Sequence, residues 1–312
     1  MVRGVTTNSS AKASNAPVVP HRPHFASVDE VLAKLSEQGY LADRATATTV
    51  YLADHLGKPL LVEGPAGVGK TELAKAINGA IEADIVRLQC YEGLDEARAL
   101  YEWNYKKQLL RIQQGNASAN ASGETWEDAS DDIFGEEFLL SRPLLTAIRR
   151  TEPTVLLVDE IDKSDVEVEG LLLEILSDFQ VTIPEMGTIH AERRPFVLLT
   201  SNATRELSEA LKRRCLYLHL DYPGPERERD IIISRVPDVA PALAEQIVRT
   251  ARALRAMELK KSPSIAETID WAQTLLALGI NTLDEEAVKT TLGVVLKHHS
   301  DAAKAAGELK LN

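Results

Sequence analysis

Short apolar segments alternate with longer amphipathic ones over roughly the first two thirds of the chain. Five of the short segments are runs rich in β-branched residues and leucine without strict polar alternation, a pattern typical of strands covered on both faces. Because helical patterns separate these runs, we predict an α/β fold with a doubly wound, parallel five-stranded sheet. The predicted strands are Pro59–Glu63, Ile85–Gln89, Thr154–Val158, Pro195–Thr200 and Cys215–Leu220.

The strand pattern stops at Tyr222-Pro223-Gly224-Pro225, a cluster typical of a hinge. Two of the helical patterns beyond it begin with sequences that match capping boxes, Ser264…Glu267 and Thr282…Glu285. We therefore predict a polar tail over residues 1–26, an α/β domain over 27–221 and a small all-helical domain over 222–312. The helices are predicted at Glu226–Arg235, Ala240–Met257, Ile265–Leu278 and Leu283–His298.

Composition narrows the class of protein. The 312 residues carry 35 basic and 47 acidic side chains, a net charge of −12, which argues against nucleic-acid binding by bulk electrostatics. No apolar run approaches the ~18–20 residues of a membrane span, and residues 1–26 lack the apolar centre of a secretory signal. With Cys90 and Cys215 as the two cysteines, we predict a soluble protein of a reducing, cytoplasmic compartment.

Residues 115–137 form a low-complexity stretch with seven acidic residues and no basic one. Such a composition is typical of a solvated loop, and the alternative is an acidic docking arm. The acidic residues are Glu124, Glu127, Asp128, Asp131, Asp132, Glu136 and Glu137.

A glycine-rich segment follows the first predicted strand and precedes a helical pattern over Glu72–Ala83. It matches G-x-x-x-x-G-K-[ST] and reads Gly64-Pro65-Ala66-Gly67-Val68-Gly69-Lys70-Thr71. Glycines let backbone N–H groups curl toward phosphates, and the helix N-terminus adds partial positive charge. We expect Lys70 to reach the β- and γ-phosphates of ATP and Thr71 to bind Mg²⁺; the alternative is a plain glycine-rich turn.

Two carboxylates, Asp159 and Glu160, follow the apolar run Val155–Val158. Ligands bind at this carboxyl edge in open parallel sheets. We expect Asp159 to hold Mg²⁺ and Glu160 to polarise the attacking water, a division that suits ATP hydrolysis. A pair of helix-capping carboxylates is the alternative.

Other polar residues are predicted at the same edge. Asn202 follows the fourth strand and is a candidate to orient the water, or else a loop-capping amide. Gln89 ends the second strand and is a candidate to report nucleotide state to Glu160, or else a strand-end hydrogen-bonding group. Arg213 and Arg214 precede the last strand, and an arginine offered to a neighbour's γ-phosphate would act in trans; surface solvation is the alternative.

Together these features resemble the AAA+ ATPases over about residues 35–300. Narrower segments are similar to the MoxR group and to its CoxD-like branch. These segments are Leu88–Asp95, Tyr101–Tyr105 and the pattern Pro263-Ser264…Glu267-Thr268…Asp270-Trp271. The resemblance implies a hexameric ring, an insert at about residues 90–105, a β-hairpin at 180–195 and a C-terminal helical lid.

MoxR-group proteins are similar in acting as chaperone-like ATPases that assemble or metallate other enzymes, often with a partner that carries a von Willebrand A domain. For the CoxD-like branch, the implied client is a molybdenum hydroxylase of the carbon monoxide dehydrogenase type. The resemblance thus implies an ATP-hydrolysing remodelling chaperone. A nucleotide-dependent switch with little hydrolysis and a DNA-acting motor remain as alternatives.

The lid departs from the family pattern at one position. Many AAA+ lids carry an arginine after a Ser-Pro pair, whereas Ser262-Pro263 is followed here by Ser264. Lys260 or Lys261 is the candidate replacement, although a lysine lacks the planar fork that binds phosphate bidentately.

Overall fold

A computed structural model of the protein describes residues 21–122 and 133–308. Its main sheet has five parallel strands in the order β2-β5-β8-β1-β9, which confirms the predicted α/β class. Two antiparallel pairs, β3–β4 and β6–β7, lie outside this sheet. The strands are β1 Leu60–Glu63, β2 Asp84–Gln89, β3 Tyr101–Trp103, β4 Leu139–Ser141, β5 Thr154–Asp159, β6 Gln180–Ile183, β7 Gly187–His190, β8 Phe196–Ser201 and β9 Leu216–His219.

Helices cover both faces of the sheet and make up the region after β9. In the part of the chain described, none is long and apolar enough to cross a membrane. The helices are α1 Val28–Glu37, α2 Arg44–Leu56, α3 Lys70–Ala80, α4 Glu96–Ala99, α5 Tyr105–Ser122, α6 Pro143–Arg149, α7 Val166–Asp178, α8 Glu209–Arg214, α9 Pro225–Arg235, α10 Pro241–Ala256, α11 Ile265–Ala277, α12 Glu285–Val295 and α13 His299–Glu308.

Side chains of the inner strand β1 alternate between two hydrophobic cores. Leu61 packs into one core, while Leu60 and Val62 pack into the other on the opposite face. The C-terminal helices have a third core around the fully buried Trp271, whose indole N–H donates to Thr291 Oγ1 at 2.7 Å. Burial on both faces explains why the strand sequences are continuously apolar.

One predicted capping box forms and the other does not. Ser264 and Glu267 make the reciprocal hydrogen bonds of a capping box at the start of α11. The prediction at Thr282 is wrong, because α12 begins three residues later and its N-cap is Asp284, whose carboxylate accepts the Ala287 N–H at 2.8 Å. The backbone N–H of Leu283, outside the helix, donates to Gln246 Oε1 at 2.8 Å.

The acidic low-complexity stretch is not all loop. Its residues 115–122 belong to α5, so the loop prediction is wrong there; they extend the helix-favouring residues 106–114. Glu136 and Glu137 form a 3₁₀ turn and pair with Arg149 at 3.1 Å and Lys107 at 3.0 Å. The acidic residues between 123 and 132 lie outside the described residues.

Candidate active site

A cavity of about 740 Å³ opens at the carboxyl edge of the main sheet. The glycine-rich loop and the ends of β2, β5 and β8 form its floor, and α9 and α11 face it from the C-terminal helices. Its volume falls in the range of about 300–1,000 Å³ that small-molecule sites occupy.

Glycines are sterically required in the loop that forms the floor. A Cβ on Gly64 would lie 1.9 Å from the carbonyl oxygen of Leu220, and one on Gly67 would lie 2.3 Å from Ser264 Cβ. Gly67 and Gly69 also have φ of +72° and +105°, a region that side chains disfavour. The loop is therefore built for close backbone approach, and Gly67 brings the start of α11 against it.

Lys70 lies at the centre of the floor, 6% exposed. Its Nζ donates to the carbonyl oxygens of Gly64 at 2.7 Å and Pro65 at 2.8 Å, and to Asn202 Oδ1 at 2.7 Å. Burial lowers the pKa of Lys70, although the carboxylates around it, Asp159 among them, oppose the shift. Three oxygen acceptors thus surround an ammonium group, an arrangement that phosphate oxygens can replace.

Asp159 is buried at the end of β5. Its Oδ1 accepts hydrogen bonds from Thr200 Oγ1 at 2.5 Å and Thr71 Oγ1 at 3.2 Å, and its Oδ2 accepts one from Arg87 at 2.5 Å. The Thr71 hydroxyl and the Asp159 carboxylate are hard oxygen donors beside the phosphate-type loop, and this donor set fits Mg²⁺.

Glu160 has the left-handed backbone conformation, with φ 57° and ψ 49°, and its N–H donates to Thr200 Oγ1 at 2.9 Å. Residues held in such sparsely populated conformations cluster at functional sites. The Glu160 carboxylate accepts from Gln89 Nε2 at 2.9 Å, Lys163 Nζ at 2.7 Å and Asn202 Nδ2 at 3.4 Å. The carboxylate predicted to act on water is therefore held by three donors.

The loop that carries Asn202 is fixed by a buried acid of the segment after β5. Asp162 accepts the N–H of Thr204 at 3.1 Å and its hydroxyl at 2.6 Å. Burial raises the pKa of Asp162, but these hydrogen bonds outweigh it and the pKa lies below its usual value. The ionised side chain keeps Asn202 in reach of both Lys70 and Glu160.

A second buried acid, Glu169 of α7, fixes the far end of the same loop. It accepts the Ser208 N–H at 2.9 Å and pairs with Arg205 at 2.6 Å. Burial raises the pKa of Glu169, but the donors from Ser208 and Arg205 outweigh it and lower the pKa overall.

The structure therefore brings the glycine-rich loop, Asp159, Glu160, Gln89 and Asn202 together around one cavity. It does not bring Arg213 and Arg214 there. Both are exposed on α8, where Arg213 Nε donates to the Glu209 carbonyl at 3.1 Å and Arg214 Nε donates to Ser177 Oγ at 2.7 Å. Their role toward a neighbouring subunit stays a prediction.

The helical region presents arginines to the cavity that the sequence reasoning did not single out. Arg227 pairs with Asp43 at 2.7 Å, and Arg235 pairs with Glu72 at 2.9 Å. Lys261 instead donates to Glu267 at 2.9 Å, and neither it nor Lys260 is among the residues that line the cavity.

The sequence reasoning also did not single out Arg87, although its position on the predicted second strand indicates that it faces the site. It lies two residues before Gln89 on β2, and residues two apart on a strand face the same side.

A family model for AAA domains of the dynein-related subfamily matches residues 59–215, half of the chain. The protein belongs to this family. Membership confirms the expected AAA+ ATPase of MoxR-like type, with a nucleotide-binding P-loop in the glycine-rich segment.

Relatives in other organisms match beyond the family model. An uncharacterized protein of Staphylococcus haemolyticus is 26% identical over 270 residues, 83% of this chain and 92% of the relative. The denitrification regulatory protein NirQ of Stutzerimonas stutzeri is 24% identical over 219 residues, 68% of this chain and 69% of NirQ. The chaperone protein ClpB 2 of Parasynechococcus marenigrum is 34% identical over 139 residues, 45% of this chain and 13% of ClpB 2.

Among solved structures, a mutant of Thermotoga maritima RuvB is similar with a TM-score of 0.47 and 19% sequence identity. The similarity covers 93% of this chain and 74% of the RuvB chain.

Proposed function

We propose that this protein hydrolyses ATP in the presence of Mg²⁺ and uses the reaction to remodel or mature a client metalloenzyme. One observation carries the proposal of hydrolysis. Lys70, Thr71, Asp159, Glu160 and Asn202, drawn from three separate chain segments, meet around one cavity large enough for a nucleotide.

Each side chain has a role that its position supports. Lys70 and the N-terminus of α3 would hold the phosphates, and Thr71 and Asp159 would hold Mg²⁺, which when bound offsets phosphate charge. Glu160 would accept a proton from the attacking water, which Asn202 would orient. Since accepted hydrogen bonds reduce the basicity of a carboxylate, Glu160 has to exchange at least one of its donors for water before it acts.

The test of hydrolysis compares three variants with the wild type. We expect Glu160→Gln to bind ATP but lose turnover, and Lys70→Ala to lose affinity for the nucleotide. Glu167→Gln is the matched control, because Glu167 is an exposed acid on α7 away from the cavity. Turnover by Glu160→Gln close to that of the control would contradict the assigned role of Glu160.

Assembly into a hexameric ring belongs to the same proposal. Arg213 or Arg214, both exposed and outside their own cavity, would stabilise phosphate charge in the neighbouring subunit. We expect turnover per protomer to rise steeply with protein concentration. Arg214→Ala should lose turnover while keeping nucleotide affinity, and Arg252→Ala, which changes an exposed arginine of α10, is the control. A rate per protomer that stays flat with concentration contradicts the ring.

The proposed client is a molybdenum hydroxylase of the carbon monoxide dehydrogenase type, with a von Willebrand A protein as partner in the cytoplasm. Support comes from the segments that resemble the CoxD-like branch, and from similarity to proteins named as a denitrification regulator and a chaperone. Capture from the host lysate tests this, with Glu160→Gln in ATP as bait and Lys70→Ala as blank. Recovery of such a hydroxylase or partner by the bait alone supports the proposal, and equal recovery by bait and blank contradicts it.

A nucleotide-dependent switch is the second candidate function. It is favoured by the contacts that Glu160 already makes to Lys163 and Gln89, and by Ser264 at the position of the lid arginine. The Glu160→Gln variant separates the two functions, because a switch keeps its partner recruitment after this change and a hydrolysing chaperone loses its cycle.

A further inference from the structure

Arg87 is a cation at the cavity that has no part in the function proposed so far. It lies on the edge strand β2, which pairs with β5 so that Gln89 stands opposite Asp159. Because alternate residues of a strand share a face, Arg87 and Gln89 project toward the same part of the cavity.

A single guanidinium nitrogen of Arg87 joins two groups of the site. Its Nη2 donates to Asp159 Oδ2 at 2.5 Å and also to Gln89 Oε1. Gln89 in turn donates a hydrogen bond through Nε2 to Glu160 Oε2 at 2.9 Å. The proposed metal ligand and the proposed base are thus connected through Arg87 and Gln89.

The burial of the two partners is unequal. The side chain of Asp159 is 4% exposed, and that of Arg87 is 52% exposed. A buried carboxylate needs a countercharge, because its desolvation is otherwise uncompensated. Lys70 adds positive charge nearby, but its Nζ donates to Gly64, Pro65 and Asn202, so the charged group in direct contact with Asp159 is Arg87.

A divalent cation at Thr71 and Asp159 would supply the same countercharge. Arg87 and the metal then compete for one carboxylate, and Arg87 is the partner that can leave, because half of its long side chain is already in solvent.

We propose that Arg87 is a positioning residue that stands in for Mg²⁺ at Asp159 in the nucleotide-free site and is displaced when the metal binds. This inference rests on the proposed function, since it concerns the same metal position. Departure of Arg87 also removes the donor that orients the Gln89 amide. Metal loading is thereby linked to release of Glu160 from Gln89.

The test compares Arg87→Gln, Arg87→Lys and Arg150→Gln with the wild type. Arg150 is the matched control, because it pairs with the exposed Asp84 at the other end of the same strand. The first measurement is the affinity for a fluorescent ADP analogue in EDTA and in saturating Mg²⁺. The second is the melting temperature of the nucleotide-free protein before and after addition of Mg²⁺ alone.

For each protein, the affinity ratio is the dissociation constant in EDTA divided by that in Mg²⁺. Because Arg87→Gln lacks the competing guanidinium, its affinity ratio should be roughly fivefold larger than that of the wild type. Mg²⁺ alone should also raise the melting temperature of Arg87→Gln more. Arg87→Lys keeps the charge and should return most of the way to wild type, and Arg150→Gln should match wild type.

An affinity ratio in Arg87→Gln that equals or falls below that of the wild type overturns the inference, as does a Mg²⁺-dependent melting shift no larger than that of the wild type. Failure of the proposed function has a different signature, since Lys70→Ala would then bind the analogue as tightly as the wild type. The melting measurement needs no nucleotide and still decides the role of Arg87 in that case.

Discussion

Replacement of Arg255 by methionine would leave a fully buried carboxylate without its partner. Glu228 of α9 is 0% exposed, and the Arg255 guanidinium of α10 binds both of its oxygens, at 2.7 and 2.8 Å. Arg255 also donates through Nε to the Pro263 carbonyl at 2.7 Å, and its guanidinium lies 4.5 Å from the centre of the Tyr222 ring. One side chain therefore joins α9, α10, the hinge and the turn before α11.

The magnitude follows from the burial of Glu228. Removal of one partner of a buried ion pair costs about 3–5 kcal/mol, because the remaining charge stays desolvated. Arg255→Met keeps most of the apolar stem and loses the hydrogen bonds and the cation–π contact. We expect the free energy of unfolding of the helical region to fall by about 4 kcal/mol. The Pro263-Ser264 turn that contacts Gly67 should loosen too, which weakens nucleotide binding.

Urea titration followed by tryptophan fluorescence measures the loss, since Trp271 is buried in the same core. Arg252→Met on the same helix is the control, because Arg252 is exposed, and it should change stability by less than about 0.5 kcal/mol. The double variant Glu228→Met with Arg255→Met should recover most of the loss, because no buried charge remains. A free energy of unfolding of Arg255→Met within about 1 kcal/mol of that of Arg252→Met would refute the reasoning.

Two further predictions concern the core of the site. Gly64→Ala should lower the melting temperature sharply, because the new Cβ meets the Leu220 carbonyl at 1.9 Å, whereas Gly170→Ala, a helical glycine with nothing within 4 Å, should raise it slightly. For Glu169, the lowered pKa means that its contacts with Ser208 and Arg205 stabilise the fold above pH about 4.3, and this stabilisation is lost as pH falls through the folded-state pKa. Glu169→Gln should therefore be less stable at pH 7 but lose less stability on acidification, as measured by urea titration at each pH; an acid dependence equal to wild type would contradict this.

The predictions from sequence succeeded where local pattern and tertiary environment agree. The run Val155–Val158 is apolar at every position, a pattern typical of a strand covered on both faces; in the structure, β5 is buried from Thr154 to Asp159. Once such strands are parallel, the polar residues at their carboxyl ends lie along one edge, so the strand prediction placed Gln89, Asp159 and Asn202 at that edge, and the strand order β2-β5-β8 makes them neighbours.

The wrong predictions, and the site residues that were not predicted, have physical causes. Thr282 has the right sequence for a capping box, but α12 begins at Glu285 with Asp284 as its N-cap, and the backbone N–H of Leu283 makes a tertiary hydrogen bond to Gln246. The approach of Arg235 and Arg227 to the cavity depends on how the helical region packs against α3 and against the segment before α2, which no local pattern encodes. Residues 115–122 continue α5 from the helix-favouring residues 106–114, because extending a helix costs less than starting one.

The polar groups of the cavity are already paired with one another, and this constrains what binds there. Lys70 is held by Asn202, Asp159 by Arg87, and Glu160 by Gln89. A ligand that replaces one of these contacts exchanges one charged hydrogen bond for another, and the net gain of a single exchange is small. A phosphate without a metal would accept hydrogen bonds from Lys70 but would add negative charge beside Asp159. A metal without a phosphate would replace the partner of Asp159 but would leave the hydrogen bonds of Lys70 unchanged. A phosphate chain and Mg²⁺ together replace the partners of both groups at once, so the pairing among these side chains favours the metal–nucleotide complex over either component alone.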